Sequence, residues 1–132
     1  MSNEKLRKLG AETIKDVYAG DVVVPEEPGY AFTDIMLETL FAQVWTRDTL
    51  SMRDKRILLL GMIGAQRQPD TFKIQVKASI KRGELSPEDI RELHLFITQY
   101  CGYPTAAALL MPMEEAIAEA QKDLDAAGDG QD

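Results

Sequence analysis

Two residues whose side chains often carry enzyme chemistry, Cys101 and His94, are the only cysteine and the only histidine of this sequence. A lone cysteine cannot cycle between a dithiol and an intramolecular disulfide, so dithiol redox chemistry is excluded, while a reaction of a single thiol stays open. The simpler interpretation is that Cys101 is a small buried side chain at the end of a helix. The lack of an internal disulfide fits a reducing compartment.

His94 shares one stripe of a predicted helix with three other residues: Ile90, Ile97 and Cys101. The seven-residue step from His94 to Cys101 corresponds to about 10 Å along a helix axis, so a direct pair is not expected. Thr98, one turn further on, is a nearer partner. Two interpretations stay open, a locally hydrogen-bonded core or interface histidine and a proton carrier. Because one histidine and one cysteine cannot form a metal-ligand cluster, no metal site is predicted.

The elements that must position these side chains are helices. Apolar residues recur at helical spacing along the chain, and neither strand alternation nor an internal repeat occurs. Six segments follow the helical pattern: residues 3–19, 30–46, 52–66, 70–82, about 87–100 and about 104–124. The sequence therefore predicts an all-α fold, with one domain over residues 1–125 and a disordered tail over residues 126–132.

The predicted helix ends carry recognisable signals. Ser51 is a credible N-cap for the third helix, with Asp54 at the position of a capping box. Residues 86–89, Ser-Pro-Glu-Asp, combine an N-cap, a proline at the first helical position and acids in the first turn. Gly83 is the expected residue after the end of the fourth helix. Pro112 lies inside the sixth helix and should kink it.

The third predicted helix is unusual because its centre, residues 57–65, is apolar all round. This pattern is typical of a helix that is buried on every side, and Gly61 and Gly64 would let a neighbour approach closely. A lone bundle of this size offers little room for so much apolar surface. We therefore expect a homo-oligomer whose interfaces cover part of the central helices.

Composition and charge restrict the possible partners. The chain has 132 residues, 45% of them hydrophobic and 28% charged, with a net charge of −7 and a pI of about 4.7. Nucleic acid is not an expected partner because an acidic surface repels phosphates. No apolar run approaches the length of a membrane span and the first residues do not resemble a signal peptide, so the cytoplasm is expected. Three lysines of the fourth helix are interpreted as a solvated face: Lys73, Lys77 and Lys81.

Two stretches are specific enough to indicate a family. One runs from Val44 to Arg47 and includes Trp45, and the other is the Tyr-x-Gly-x-Pro-x-Ala pattern of residues 100–106. Together with the apolar third helix and the run at 86–92, they resemble γ-carboxymuconolactone decarboxylase without gaps from about residue 41 to 107. Weaker similarity extends to Gly10 and Gly20.

This resemblance implies the helical fold shared with alkyl hydroperoxidase D, assembled as trimers or hexamers. It also implies cofactor-free decarboxylation of 4-carboxymuconolactone in protocatechuate breakdown. Trp45, Arg47 and Glu92 match family positions and are the candidate substrate-binding residues. Arg47 would hold a carboxylate bidentately or, alternatively, pair with an acid of a neighbouring helix, and for Glu92 a structural salt bridge is the alternative.

At the positions that the resemblance implies to be catalytic, the sequence departs from the family pattern. The family's glutamate before Val-Trp is Gln43, and its histidine in the fourth helix is Gln75. Glutamine keeps the hydrogen-bonding shape of these residues but cannot transfer protons at neutral pH. Gln75, beside Ser79 at the edge of an apolar face, is expected to line the pocket, and His94 is the remaining candidate proton carrier.

Three hypotheses follow. The first is a diverged decarboxylase-family enzyme that acts on a small carboxylated lactone or organic acid in a pocket of Trp45, Arg47, Gln75 and His94. The second is a non-catalytic oligomeric binding protein that kept the fold. The third is a peroxide-linked thiol enzyme, against which the missing Cys-x-x-Cys pair argues.

Overall fold

The computed structural model describes residues 3–129. Within this range the chain forms helices and no strands, which confirms the all-α prediction. The second helix changes from α-helical to π-helical geometry partway along, so the described part has six continuous helices. They are α1 (Asn3–Val17), α2 (Ala31–Met36, continuing as the π-helical segment Leu37–Val44), α3 (Met52–Ala65), α4 (Pro69–Lys81), α5 (Pro87–Cys101) and α6 (Tyr103–Asp129).

The helices fall into two compact units, one ending at Leu50 and the other beginning at Ser51. The first contains α1 and α2, and the second contains α3 to α6. That residues 1–125 form one domain stays a prediction. The predicted disordered tail overlaps α6 at residues 126–129, because this helix ends at Asp129 and not near residue 124, and residues 130–132 lie outside the described range.

In the first unit, the backbone of α1 at Gly10 packs directly against the backbone of the π-helical segment. A Cβ atom built on Gly10 would overlap the carbonyl oxygen of Leu37, so only glycine permits this approach. Leu37 is fully buried there, together with Ile14 and Phe41. The predicted helix over 30–46 is confirmed, and its second half has π-helical geometry: the N–H of Trp45 donates to the carbonyl of Leu40, five residues back.

The connector between α1 and α2 is held by a buried arginine. Arg7 donates from Nε to Oδ1 of Asp34 at 2.8 Å, and its Nη atoms donate to the carbonyls of Pro25 and Glu26 at 2.8 and 2.9 Å. The hydrogen bond from Arg7 is the main cause that holds the pKa of Asp34 below its usual value of 3.8, and a hydrogen bond from the N–H of Gly29 adds to it. One side chain thus orders a connector without regular structure.

In the second unit, the core lies between α3, α4, α5 and α6. Its most buried large residues include Leu60, Phe72, Ile90, Leu109 and Met113. The capping predictions are confirmed: Ser51 accepts from the N–H of Asp54, Ser86 and Asp89 form a reciprocal capping box, and Gly83 has a φ of 72°. Pro112 lies inside α6, as predicted.

Within the single chain α3 is not buried on every side, because Leu58 and Met62 are 55% and 47% exposed while Leu60 and Ile63 are buried. That an interface between chains covers its exposed side stays a prediction. Gly64 lies close to Ile97 of α5, but nothing lies within 4 Å of the position of a Cβ on Gly61.

The lysine face of α4 is not a solvated face, because it pairs with acids of α6. Lys73 lies 3.1 Å from Glu115 and 3.0 Å from Glu119, and both Lys77 and Lys81 reach Asp123, at 3.3 and 3.1 Å. The two lysines lower the pKa of Asp123, and Glu119 and Glu115 raise that of Lys73.

Candidate functional site

Gln75 is 1% exposed, and its lining of a pocket stays a prediction. It lies on α4 one turn before Ser79, which is also buried. Its side-chain oxygen, Oε1, accepts a hydrogen bond of 2.6 Å from Nη1 of Arg56 on α3. Because a guanidinium only donates, this contact fixes which end of the amide faces Arg56.

Arg56 is the residue that the sequence analysis missed. Its side chain is fully buried, and Nε donates to Oε1 of Glu84 at 2.8 Å, in the loop between α4 and α5. Arg82 donates to the other carboxylate oxygen of Glu84 at 2.7 Å. Two guanidinium groups therefore share one carboxylate. Such a cluster orients groups and balances charge, but it does not transfer protons at neutral pH.

A sequence signal for Arg56 exists. The buried residues of α3 are Arg56, Leu60, Ile63 and Gly64, which follow the i, i+4, i+7, i+8 spacing of one helix face. The arginine lies on the buried stripe, in the turn that precedes the apolar centre. A charged residue on such a stripe requires a buried partner, and Glu84 supplies it 28 residues later in the chain.

Gln43 also has a structural hydrogen bond. Its side chain is exposed on the π-helical segment, and Nε2 donates to the backbone carbonyl of Glu38 at 2.8 Å. A carboxylate at this position could not make the same bond, since it has no hydrogen to donate when ionised. Both positions at which the resemblance implies an acid or base thus hold amides that bond within their own unit.

Trp45 and Arg47 follow Gln43 at the end of the same helix. The Trp45 ring is parallel to that of Phe41, with 6.4 Å between the ring centroids and 4° between the planes. Arg47 is exposed, and its backbone N–H donates to the carbonyl of Val44. The substrate-binding roles of both residues, and the pocket that would combine them with Gln75 and His94, stay predictions.

His94 is half-buried on α5 and bonds to α6. Its Nε2 lies 2.7 Å from the carbonyl oxygen of Ala106, so this nitrogen carries the hydrogen. The predicted partner, Thr98, instead donates from its hydroxyl to the backbone carbonyl of His94. Nearby, Arg91 holds the carboxylate of Glu114 with two hydrogen bonds of 2.9 Å and lowers its pKa. The local hydrogen bond agrees with the structural interpretation of His94, and its proton-carrier role stays a prediction.

Cys101 is exposed, so the prediction of a buried thiol is wrong. It is the last residue of α5, and Gly102, with a φ of 94°, turns the chain into α6. The buried stripe of α5 therefore ends before Cys101.

Glu92 is exposed on α5 and lines an open groove of about 300 Å³. Among the described residues it forms no ion pair, so the predicted structural salt bridge is absent from this part of the chain. The other lining residues of the groove are mainly apolar, with one basic and one acidic side chain among them: Arg53, Ile57, Leu85, Asp89, Leu93 and Phe96.

Two further properties concern residues 3–129. No set of three or more histidine, cysteine, aspartate or glutamate side chains in this range is arranged to hold a metal ion. None of its helices combines the length and the hydropathy that a membrane crossing requires.

Comparison with known proteins assigns the family. Neither the curated proteins nor the solved structures yield a match to this chain. The family model of the carboxymuconolactone decarboxylase family matches residues 30–115, which is well over half of the sequence. This range includes both amides, the buried Arg56 cluster and the groove beside Glu92. The chain belongs to the carboxymuconolactone decarboxylase family.

Proposed function

We propose that this chain is a diverged member of its family that recognises a small carboxylated lactone or a related organic acid. Recognition occurs through hydrogen bonds, and the protein does not decarboxylate 4-carboxymuconolactone at the rate of a true decarboxylase. It needs no cofactor for this role.

The observation that carries the proposal is the buried contact between Gln75 and Arg56. Loss of carbon dioxide leaves an electron-rich enolate that must take up a proton, and a positioned acid or base contributes about 10²–10⁴-fold to such a step. Gln75 is neutral, and its oxygen is bonded to a guanidinium at 2.6 Å. Gln43 is equally unable to deliver a proton. Gln43 is exposed, and its side chain can form a hydrogen bond with a carbonyl or carboxylate.

The direct test mixes the full chain with 4-carboxymuconolactone and follows both binding, by calorimetry, and loss of the substrate, by NMR. We expect heat of binding with turnover at least about 10²-fold below that of a true decarboxylase. Turnover comparable to that of the true enzyme would contradict the proposal. If it occurred, His94→Ala would show whether the proton carrier lies on α5.

The second candidate is a non-catalytic oligomeric binding protein. Exposed apolar residues on α3 and α5 support it, because single chains rarely leave such surfaces uncovered. Among them are Leu58 at 55% and Phe96 at 65%. The expected assembly is a homotrimer or homohexamer in the cytoplasm. The same calorimetry separates the two candidates, since a scaffold without a site for organic acids would release no heat of binding.

A peroxide-linked thiol enzyme is the least supported candidate. Cys101 is exposed, but the sequence has no second cysteine to resolve an oxidised thiol.

A further inference from the structure

We propose that Arg56 decides the chemistry of position 75, because its buried guanidinium keeps any residue at that position in a form that accepts a hydrogen bond and carries no positive charge. The inference rests on the proposed function and deepens it. It identifies the residue that makes this position a hydrogen-bonding position and not a proton-transferring one.

The first step of the argument is geometric. Arg56 is fully buried and Gln75 is 1% exposed, so water does not substitute for either partner. Nη1 and Oε1 are 2.6 Å apart. Guanidinium has five N–H donors and no acceptor, so the atom that faces it at this distance must accept. The amide hydrogens of Gln75 consequently point to its other contacts, and those contacts must accept hydrogen bonds.

The second step concerns charge. Glu84 already accepts from both Arg56 and Arg82, at 2.8 and 2.7 Å, so one carboxylate is shared by two guanidinium groups. A protonated imidazole at position 75 would place a second cation at hydrogen-bonding distance from a buried guanidinium.

The third step is the consequence for the family pattern. A neutral imidazole could accept from Arg56 through one ring nitrogen, as the amide does. It would then stay neutral at physiological pH and could not act as a general acid. Substitution of Gln75 by histidine would therefore restore the residue type that the resemblance implies. The imidazole would still lack the second proton that a general acid donates.

The test is an NMR titration of the Gln75→His variant of the full chain. Only one other histidine, His94, is present, so the introduced imidazole is readily resolved. We expect its pKa to lie at least about one unit below the usual 6.5. In Gln75→His combined with Arg56→Gln, the pKa should rise by about one unit or more. Gln66→His, an exposed site at the end of α3, is the matched control and should titrate near its ordinary value.

A pKa at or above about 6.5 in Gln75→His with Arg56 present would overturn the inference.

If the Gln75→His variant does not fold, the inference is tested by thermal unfolding of Gln75→Met and Gln75→Glu. Methionine removes the acceptor and should lower the melting temperature by several degrees, whereas the carboxylate accepts from Arg56 and should retain more of the stability. A Gln75→Glu variant that melts below Gln75→Met would also overturn it. Neither measurement depends on turnover or ligand binding, so this inference can fail while the proposed function stands.

Discussion

Two arginines of this chain are buried, and each fixes a loop to helices of its own unit. Arg7 holds the connector before α2 through Asp34 and backbone carbonyls, and Arg56 holds the loop before α5 through Glu84. Their planar guanidinium groups satisfy several acceptors at once, which an ammonium group does with less geometric control. At the scale of single residues, the ordered loops therefore depend on buried ion pairs.

The pair between Arg7 and Asp34 predicts a pH dependence of stability. Its hydrogen bond holds the pKa of Asp34 below 3.8, so the contribution is fully present above that pH and is lost as the pH falls through the lower folded-state value. We expect Asp34→Asn to melt below wild type at pH 7, with the difference shrinking below pH 3.8. Thermal unfolding at pH 7 to 2 measures this, and a difference that stayed constant to pH 2 would contradict it.

The residue types in the sequence predicted where helices are capped, but they did not predict which candidate side chains are buried. Ser51, Gly83 and Ser86 were predictable because caps depend on neighbours only a few residues away. The burial of Gln75 was not, since its partner Arg56 lies on another helix. The exposure of Cys101 likewise depends on where α5 ends relative to its neighbours.

At the scale of elements, the packing of α1 against the π-helical segment depends on one glycine. α1 meets the π-helical segment where Gly10 faces the backbone of Leu37, and backbone atoms cannot move aside as a flexible side chain can. We expect Gly10→Ala to lower the free energy of unfolding by about 3 kcal/mol, the upper end for overpacking. Urea unfolding measures the change.

Gly61→Ala is the matched control because it also replaces a helical glycine. Nothing lies within 4 Å of the position of its Cβ atom, so the higher helix propensity of alanine should raise stability by up to about 1 kcal/mol. Equal effects of the two substitutions on the free energy of unfolding would show that the close approach of α1 to Leu37 does not restrict residue 10 to glycine.

Helix periodicity predicted the existence of all the described helices, but two features escaped it. The change from α-helical to π-helical geometry at Leu37 needs tertiary contacts, which the spacing of apolar residues does not encode. The pairing of α4 lysines with α6 acids was missed because a charged stripe has the same pattern whether water or another helix faces it.

At the scale of the whole molecule, the exposed apolar residues of α3 predict self-association. We expect size-exclusion chromatography with light scattering to give three or six times the chain mass of 14.7 kDa.

Leu58→Glu would place a charge on the exposed apolar face of α3 and should shift the protein toward the single chain, because charges are depleted from interface cores. Gln66→Glu, an exposed polar site at the end of the same helix, should leave the mass unchanged. A wild-type mass near 14.7 kDa would contradict the prediction.

The π-helical segment Leu37–Val44 has a bearing on how this gene tolerates insertions and deletions. A π-helical turn holds one residue more than an α-helical turn, so loss of one codon within the segment would return α2 to regular geometry. Because the deleted residue is the one that the wider turn accommodates, the side chains after the deletion would stay close to their present side of the helix. Loss of one residue within Leu37–Val44 would thus leave the most family-specific stretch of the first unit, Val44 to Arg47, facing the side that it faces now.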